Sequence, residues 1–347
     1  MWIIGCDLHT RYQQVAALDT ETGELVERRL EHAGEEVRAF YAARPKPTIV
    51  GIEATGHAQW FERLLGEFGH QLWVGDAAEI RAAAVRQQKT DVRDAALLLQ
   101  LLVEKRFPRI WQPSADNREK RRLLLHRVKL AQMRTTVRNQ LQALAMSQGL
   151  CRGRRMWSRK GQSELEALSL GVWSHQQRQD LRALDDTLSA RIEAMNRALI
   201  EQAHDHPAAA RLMQQPGVGP MTALAFVLTL GPAHRSKQVV SYLGLNPREY
   251  SSGGRQRLGA ISKQGNTLLR WLLVEAAQTA ARLDPELHRQ YLRLKHRRGA
   301  RIAKVAVARK LAVKLYWMLR TFQHAAQPVS PQSSPCTDLV PQLGSNS

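Results

Sequence analysis

The sequence predicts an α/β domain followed by an all-α remainder, and three observations carry that division. Apolar residues in the first 75 positions recur in the short runs and alternations of strands; from about Asp116 they recur at spacings of three and four; and positive charge gathers behind the division. Residues 1–110 carry 14 Lys/Arg against 16 Asp/Glu, whereas residues 117–160 carry 13 against 1 and residues 286–320 carry 11 against 1. The net charge of +20 therefore belongs to two stretches, which read as surfaces built to neutralise a polyanion such as nucleic acid. An anionic membrane surface is the competing partner. It is disfavoured because the apolar positions form helix-packing faces and not exposed wedges.

The 347 residues, 44% of them hydrophobic, allow two or three globular parts. No run of about 18 uncharged apolar residues occurs, and Asp7 comes too early for a signal peptide, so the expected location is the cytoplasm with no membrane partner. Cys6, Cys151 and Cys336 are odd in number and far apart, and read as free thiols in a reducing compartment.

Taken in order, residues 2–6 form an apolar run, residues 12–18 alternate, and residues 19–23 have turn composition before a third strand at 24–30. A helix follows at 35–43, a buried strand at 48–53, a helix at 59–68 and a strand at 71–75. A helix over about 77–102 closes the unit. Three strands in a meander followed by alternating helix and strand fit a ribonuclease-H-like domain over residues 1–112. Residues 113–205 read as an antiparallel helical coiled-coil arm. Leu130, Met133, Val137, Leu141 and Leu144 form one stripe; Leu181, Leu184, Leu188, Ile192, Met195 and Leu199 form the other. Such an arm suits self-association, although packing within one chain explains it nearly as well. Residues 206–322 form a mostly helical unit opening on the hairpin Pro216-Gly217-Val218-Gly219-Pro220, a helix-hairpin-helix-like element. Residues 323–347 lose periodicity and read as a disordered tail.

Asp7 and Glu53 sit at the ends of two strands that one sheet could make neighbours, and Asp91 and Asp94 lie three apart on a helix, hence on one face. Four converging carboxylates repel unless a cation sits among them, and hard oxygen ligands suit Mg²⁺ or Mn²⁺ in a two-metal phosphodiester site. In the C-terminal unit, YLGLNPREYSSGG precedes GAISKQGN. Gly253 and Gly254 could present Ser251 or Ser252 as a nucleophile and offer amides to a phosphate. Spacing alone favours a plainer reading, a polar turn in which Arg255, Arg257 and Lys263 touch phosphates. The glycine amides of Gly217 and Gly219 and the helix start after them could likewise grip a phosphate. His204 and His206 lack a further ligand for a metal pair, and Trp157, Trp173, Trp271 and Trp317 are expected to pack in helical cores.

These blocks together resemble the DEDD-type transposases of the insertion-sequence 110 family over nearly the whole chain. The resemblance rests on GCDLHT, GIEATG, KTDVRDA, PGVGPMTA, YLGLNPREYSSGG and ISKQGNTLLR. It implies a RuvC-like N-terminal domain whose Asp7, Glu53, Asp91 and Asp94 bind divalent metal. It also implies a serine nucleophile before the glycine pair, which maps onto Ser252 beside Ser251. Gly253, Gly254, Arg255, Arg257, Lys263 and Asn266 would then line nucleic acid. The family resemblance further implies a homo-oligomer, dimer or tetramer, in which the carboxylates of one subunit meet the serine of another. DNA is the expected substrate, a guide RNA from the same element an expected partner, and the nucleoid the expected location. The rivals are a structure-specific nuclease of Holliday-junction-resolvase type using the carboxylates alone, an actin-like ATPase, which lacks its further phosphate loops here, and a catalytically dead binder.

Overall fold

The computed structural model describes residues 1–84, 90–230, 235–250, 255 and 257–326, with side chains through 323. It divides into two compact units, the first Met1–Gln112 and the second beginning at Pro113.

In the first unit, strands β1 (Trp2–Leu8), β2 (Tyr12–Asp19) and β3 (Leu25–Glu31) form an antiparallel meander. Helix α1 (Glu36–Ala42) leads to β4 (Ile49–Glu53), and α2 (Gln59–Glu67) leads to β5 (Gln71–Gly75). Both later strands run parallel to their neighbours, giving the order β3-β2-β1-β4-β5. The period of two along β1 sends Trp2, Ile4, Cys6 and Leu8 into a core with Phe40, Tyr41, Phe61 and Leu65. Helices α3 (Ala77–Ala83) and α4 (Asp91–Val103) follow, and α4 covers the opposite face, where Leu98 and Leu102 meet Ile3 and Ile49.

The continuous helix expected over 77–102 is instead two helices. Asp76 caps α3, accepting from the Ala78 and Glu79 N–H groups at 2.8 and 3.2 Å, and Ala84 ends it in an extended conformation (ψ 118°). Thr90 is extended as well (ψ 146°) and caps α4 through the Arg93 N–H. Two capped starts in one amphipathic stretch are two helices, because each cap residue leaves helical φ/ψ.

The second unit opens with α5 (Ala115–Ser147), a short 3₁₀ turn (Gly153–Trp157), α6 (Arg159–Glu166) and α7 (Val172–Asp205). Leu130, Val137 and Leu141 pack with Leu181, Leu188 and Ile192. Met133 and Leu184 of the expected stripes are exposed, because two helices meeting along one narrow seam bury only the residues facing the partner. Polar cross-ties run along the pair: Arg127 to Asn196, Arg134 to Ser189, and a bidentate Arg138–Asp185 ion pair at 2.7 and 3.1 Å. Residue numbers rise on one helix as they fall on the other, so the pair is antiparallel.

Next come α8 (Pro207–Met213), α9 (Pro220–Thr229), α10 (Ser236–Tyr242), β6 (Pro247–Glu249), β7 (Leu258–Ile261), α11 (Thr267–Leu283), α12 (Pro285–Arg298) and α13 (Ala300–Ala326). Phe226, Leu243, Leu273, Leu311 and Leu315 lie in their common core, joined by Leu124 of α5 and Leu199 of α7. Trp173, Trp271 and Trp317, expected in helical cores, are exposed: each falls on the outer face of its helix. Trp157 is half-buried, with the Arg138 guanidinium 4.6 Å from its ring centre. Among the described residues no helix is long and apolar enough to cross a membrane. Cys6 is a buried and Cys151 an exposed free thiol; Cys336 lies outside the described residues.

Buried Asp284 ties this core together. It caps α12 through the Glu286 and Leu287 N–H groups and accepts from Gln215 Nε2 at 3.0 Å and Lys314 Nζ at 2.7 Å. Desolvation pushes its pKa up, but the bonds from Lys314, Gln215 and the Leu287 amide outweigh it and hold the carboxyl at about 2. A depressed pKa stabilises the fold above the unfolded value of 3.8 and loses that contribution as pH falls through about 2. Wild type should therefore exceed Asp284→Asn by about 1–2 kcal/mol near neutral pH, after allowance for solvent screening. Urea titrations down to about pH 3 should show the margin shrinking. A margin independent of pH would mean that the carboxylate charge contributes nothing.

Candidate active site

Strand periodicity builds the carboxylate site. On β1 the residues facing α4 are Ile3, Gly5 and Asp7; on β4 they are Ile49, Gly51 and Glu53. The strands are parallel neighbours with Gly5 opposite Gly51 and Cys6 opposite Ile52, so Asp7 and Glu53 emerge side by side at their carboxyl ends. The two glycines form a floor for the helix. A Cβ on Gly5 would stand 2.3 Å from Ala95 O and from Leu99 N, and one on Gly51 would stand 2.7 Å from Leu102 Cδ1. Seated there, α4 brings Asp91 and Asp94 of its first turn to the strand ends. The Gly-x-Asp and Gly-x-Glu pattern in GCD and GIE puts each glycine on the same face of its strand as the carboxylate, without saying which helix covers that face.

Two residues that sequence reasoning did not single out complete the cluster. His9 follows β1 directly, and its Nε2 lies 3.1 Å from Asp7 Oδ2 and 3.5 Å from Asp91 Oδ1. Tyr12 begins β2; its hydroxyl donates to Asp91 Oδ2 at 2.8 Å, and its ring stacks on His9 with centroids 4.7 Å apart. The Arg29 guanidinium lies 3.6 Å from the same ring centre. The Glu53 side chain has Arg81 Nη2 3.8 Å from its Oε1 and is not in the group of ligand atoms that Asp7, His9 and Asp91 form among the described residues.

The electrostatics are those of crowded carboxylates. Desolvation raises the Asp7 pKa; His9 opposes that shift, while the charges of Asp94 and Asp91 add to it. The bond to Asp91 raises the Tyr12 phenol. A divalent cation would remove the repulsion that disfavours ionised Asp7, and half-buried Asp7, His9 and Asp91 offer ligand atoms within 4.8 Å of one another. The donor set fits a divalent metal. His204 and His206 enter no such group among the described residues.

In the second unit, β6 and β7 form a short antiparallel hairpin. Ser251, Ser252, Gly253 and Gly254 lie at its tip in sequence and outside the described residues. Its base is interlocked: Lys263 N–H donates to Gly244 O, Asn266 N–H to Tyr242 O, and Arg270 Nη1 to Leu243 O and Gln264 O. Asn266 caps α11 by accepting from the Leu269 N–H at 2.8 Å, so its carbonyl serves the fold. Arg255, Arg257 and Lys263 are exposed, and Lys263 adopts a left-handed φ of 58°. Gly217 (φ 87°) packs on the backbone of α11, where a Cβ would come 2.4 Å from Ala280 N; Gly219, exposed, precedes α9.

Comparison with known proteins bears on both units. The sequence model of a transposase family, DEDD Tnp IS110, matches residues 4–147, and that of the Transposase IS116/IS110/IS902 family matches residues 209–292. A "Probable family 20 transposase" of Pseudomonas aeruginosa is 30% identical over 342 residues, covering 94% of this chain and 98% of the relative. The transposase for insertion sequence element IS1111A of Coxiella burnetii is 28% identical, covering 92% and 90%. That for IS1328 of Yersinia enterocolitica is 26% identical, covering 92% and 96%. Two family models in order, the first spanning the first unit and α5 and the second lying within the second unit, and relatives that run nearly end to end with it make this chain a member of the IS110 family of DEDD transposases.

Proposed function

We propose that this transposase cuts and rejoins the DNA strands of an insertion sequence with two sets of residues, a metal-binding Asp7, Glu53, Asp91 and Asp94 on a ribonuclease-H-like, RuvC-like domain and a nucleophilic Ser252. The observation that carries the reading is the convergence of Asp7 and Asp91 on one crowded point beneath α4, with Asp94 acting on it and Glu53 on the adjacent strand end. The meander followed by two parallel strands supports the ribonuclease-H-like assignment. A divalent ion, Mg²⁺ or Mn²⁺, would supply Lewis acidity toward phosphate oxygens there. The carboxylates would hold it, and α4 on its glycine floor would keep two of them in place.

Ser252 Oγ would form a bond to phosphorus as the bond to the leaving sugar oxygen breaks; a base takes the serine proton and the leaving oxygen takes up another. Rejoining reverses these steps on a second strand. Arg255, Arg257 and Lys263 would hold phosphates, with Gly217 and Gly219 shaping the helix-hairpin-helix-like element between α8 and α9. Residues 1–112 would carry the carboxylates, 113–205 the coiled-coil arm, 206–322 the serine motif and 323–347 a tail. A guide RNA on the basic surface, a dimer or tetramer, and association with the nucleoid belong to the same proposal.

The test is strand exchange in cells carrying the flanking element DNA. Glu53→Ala and Ser252→Ala should each lose joined products while remaining soluble. Activity in Ser252→Ala and in Ser251→Ala, with none in Glu53→Ala, would instead favour a carboxylate-only, resolvase-like nuclease.

Lys263 offers a separate check. A non-glycine residue at a left-handed φ costs about 1 kcal/mol, so Lys263→Gly should be more stable than wild type yet bind DNA more weakly at low salt. Unchanged binding would remove Lys263 from the interface.

A further inference from the structure

We propose that His9 is a metal ligand alongside Asp7 and Asp91, and that its nitrogen makes this site prefer Mn²⁺ to Mg²⁺. The inference rests on the carboxylates holding a divalent ion, and adds a donor of a different chemical kind.

Two ligand atoms at right angles, each about 2.1 Å from an ion, stand about 3 Å apart. His9 Nε2 stands 3.1 Å from Asp7 Oδ2 and 3.5 Å from Asp91 Oδ1, close to that spacing for both neighbours at once. The imidazole is also held. The His9 N–H donates to Tyr12 O at 3.0 Å across the β1–β2 turn, which fixes the backbone. The Tyr12 ring lies against the imidazole at an interplanar angle of 29°, which fixes the plane. The Tyr12 hydroxyl engages Asp91 Oδ2, and Asp91 Oδ1 is the oxygen nearer His9. Tyr12 thus orients two ligands from behind, as outer partners of metal sites do. Both ions are served by oxygen, but Mg²⁺ is the smaller, demands near-ideal octahedral geometry and gives up its waters reluctantly, so exchanging a water for an imidazole nitrogen costs it more than it costs the transition ion Mn²⁺. One nitrogen among carboxylates therefore shifts preference without excluding either ion.

The experiment uses the full chain with Mn²⁺ or Mg²⁺ alone and no nucleic acid. Pulsed electron paramagnetic resonance of bound Mn²⁺ should show coupling to a directly bound nitrogen, lost in His9→Phe, which keeps a ring against Tyr12, and in His9→Gln. By calorimetry, Mn²⁺ affinity should fall about tenfold in both variants, with Mg²⁺ affinity nearly unchanged. Nitrogen-free Mn²⁺ in wild type, bound as tightly in both His9 variants but lost in Asp7→Asn, would overturn the proposal and leave the carboxylate site standing. Wild-type binding of neither ion, or Asp7→Asn binding Mn²⁺ as tightly as wild type, would overturn the carboxylate reading and this proposal with it.

Discussion

Gly5→Ala should unfold at a lower denaturant concentration than wild type and should lose strand exchange even under conditions where it is folded. The methyl carbon would arrive 2.3 Å from Ala95 O and Leu99 N, both backbone atoms of α4 that no rotamer change can move. Overpacking of this kind costs about 2–3 kcal/mol. Relief requires α4 to lift by about 1 Å, and a misplacement of that size at a reacting centre costs about 100-fold in rate. Asp91 and Asp94 would move with the helix while Asp7 and Glu53 stayed on the sheet, so affinity for a divalent ion should fall too. Wild-type stability and metal affinity in Gly5→Ala would show that α4 does not rest on β1 as described.

Gly265→Ala should damage the other unit and leave the metal site intact. Gly265 has φ 75° and its Cβ would lie 2.0 Å from Tyr242 O; Gly244 has φ 61° and its Cβ would lie 2.0 Å from Gln264 O. The positive φ alone costs an alanine about 1–3 kcal/mol, and neither contact can be relieved without parting the loops that close the β6–β7 hairpin. Hydrogen exchange should speed up at the Lys263 and Asn266 amides, whose acceptors are Gly244 O and Tyr242 O. Strand exchange should collapse, while Mn²⁺ affinity stays at the wild-type value. Retained protection at those amides would contradict the interlocked base.

Legibility followed the physics of each feature. Alternation along GCD and GIE is a local property, so the shared face of Asp7 and Glu53 could be read from spacing. The reason for Gly5 and Gly51 could not, because a single sequence does not say which helix lies over a strand. His9 and Tyr12 escaped because they meet Asp91 across some eighty residues, Tyr12 through a bond with a separation of 79; locally they look like residues of a β-turn. The break between α3 and α4 hid inside continuous helical periodicity, although the Thr90 cap was visible as a start signal. Met133 and Leu184 sat at the right spacing for a seam, yet spacing gives a stripe and not its width. The exposed tryptophans failed the general expectation that large aromatics are interior.

The Arg138–Asp185 pair has a consequence for motion. Asp185 is almost fully buried, with a bidentate partner; sliding α7 one turn along α5 would strand that charge among leucines at about 3–5 kcal/mol. The Arg127–Asn196 and Arg134–Ser189 ties would break in the same stroke. Slippage is therefore disfavoured, and two helices of 33 and 34 residues, about 50 Å of rod, are keyed to one another. An axial displacement at the 3₁₀-turn end would carry both helices together to the other end, because neither can slide past its partner without breaking these ties.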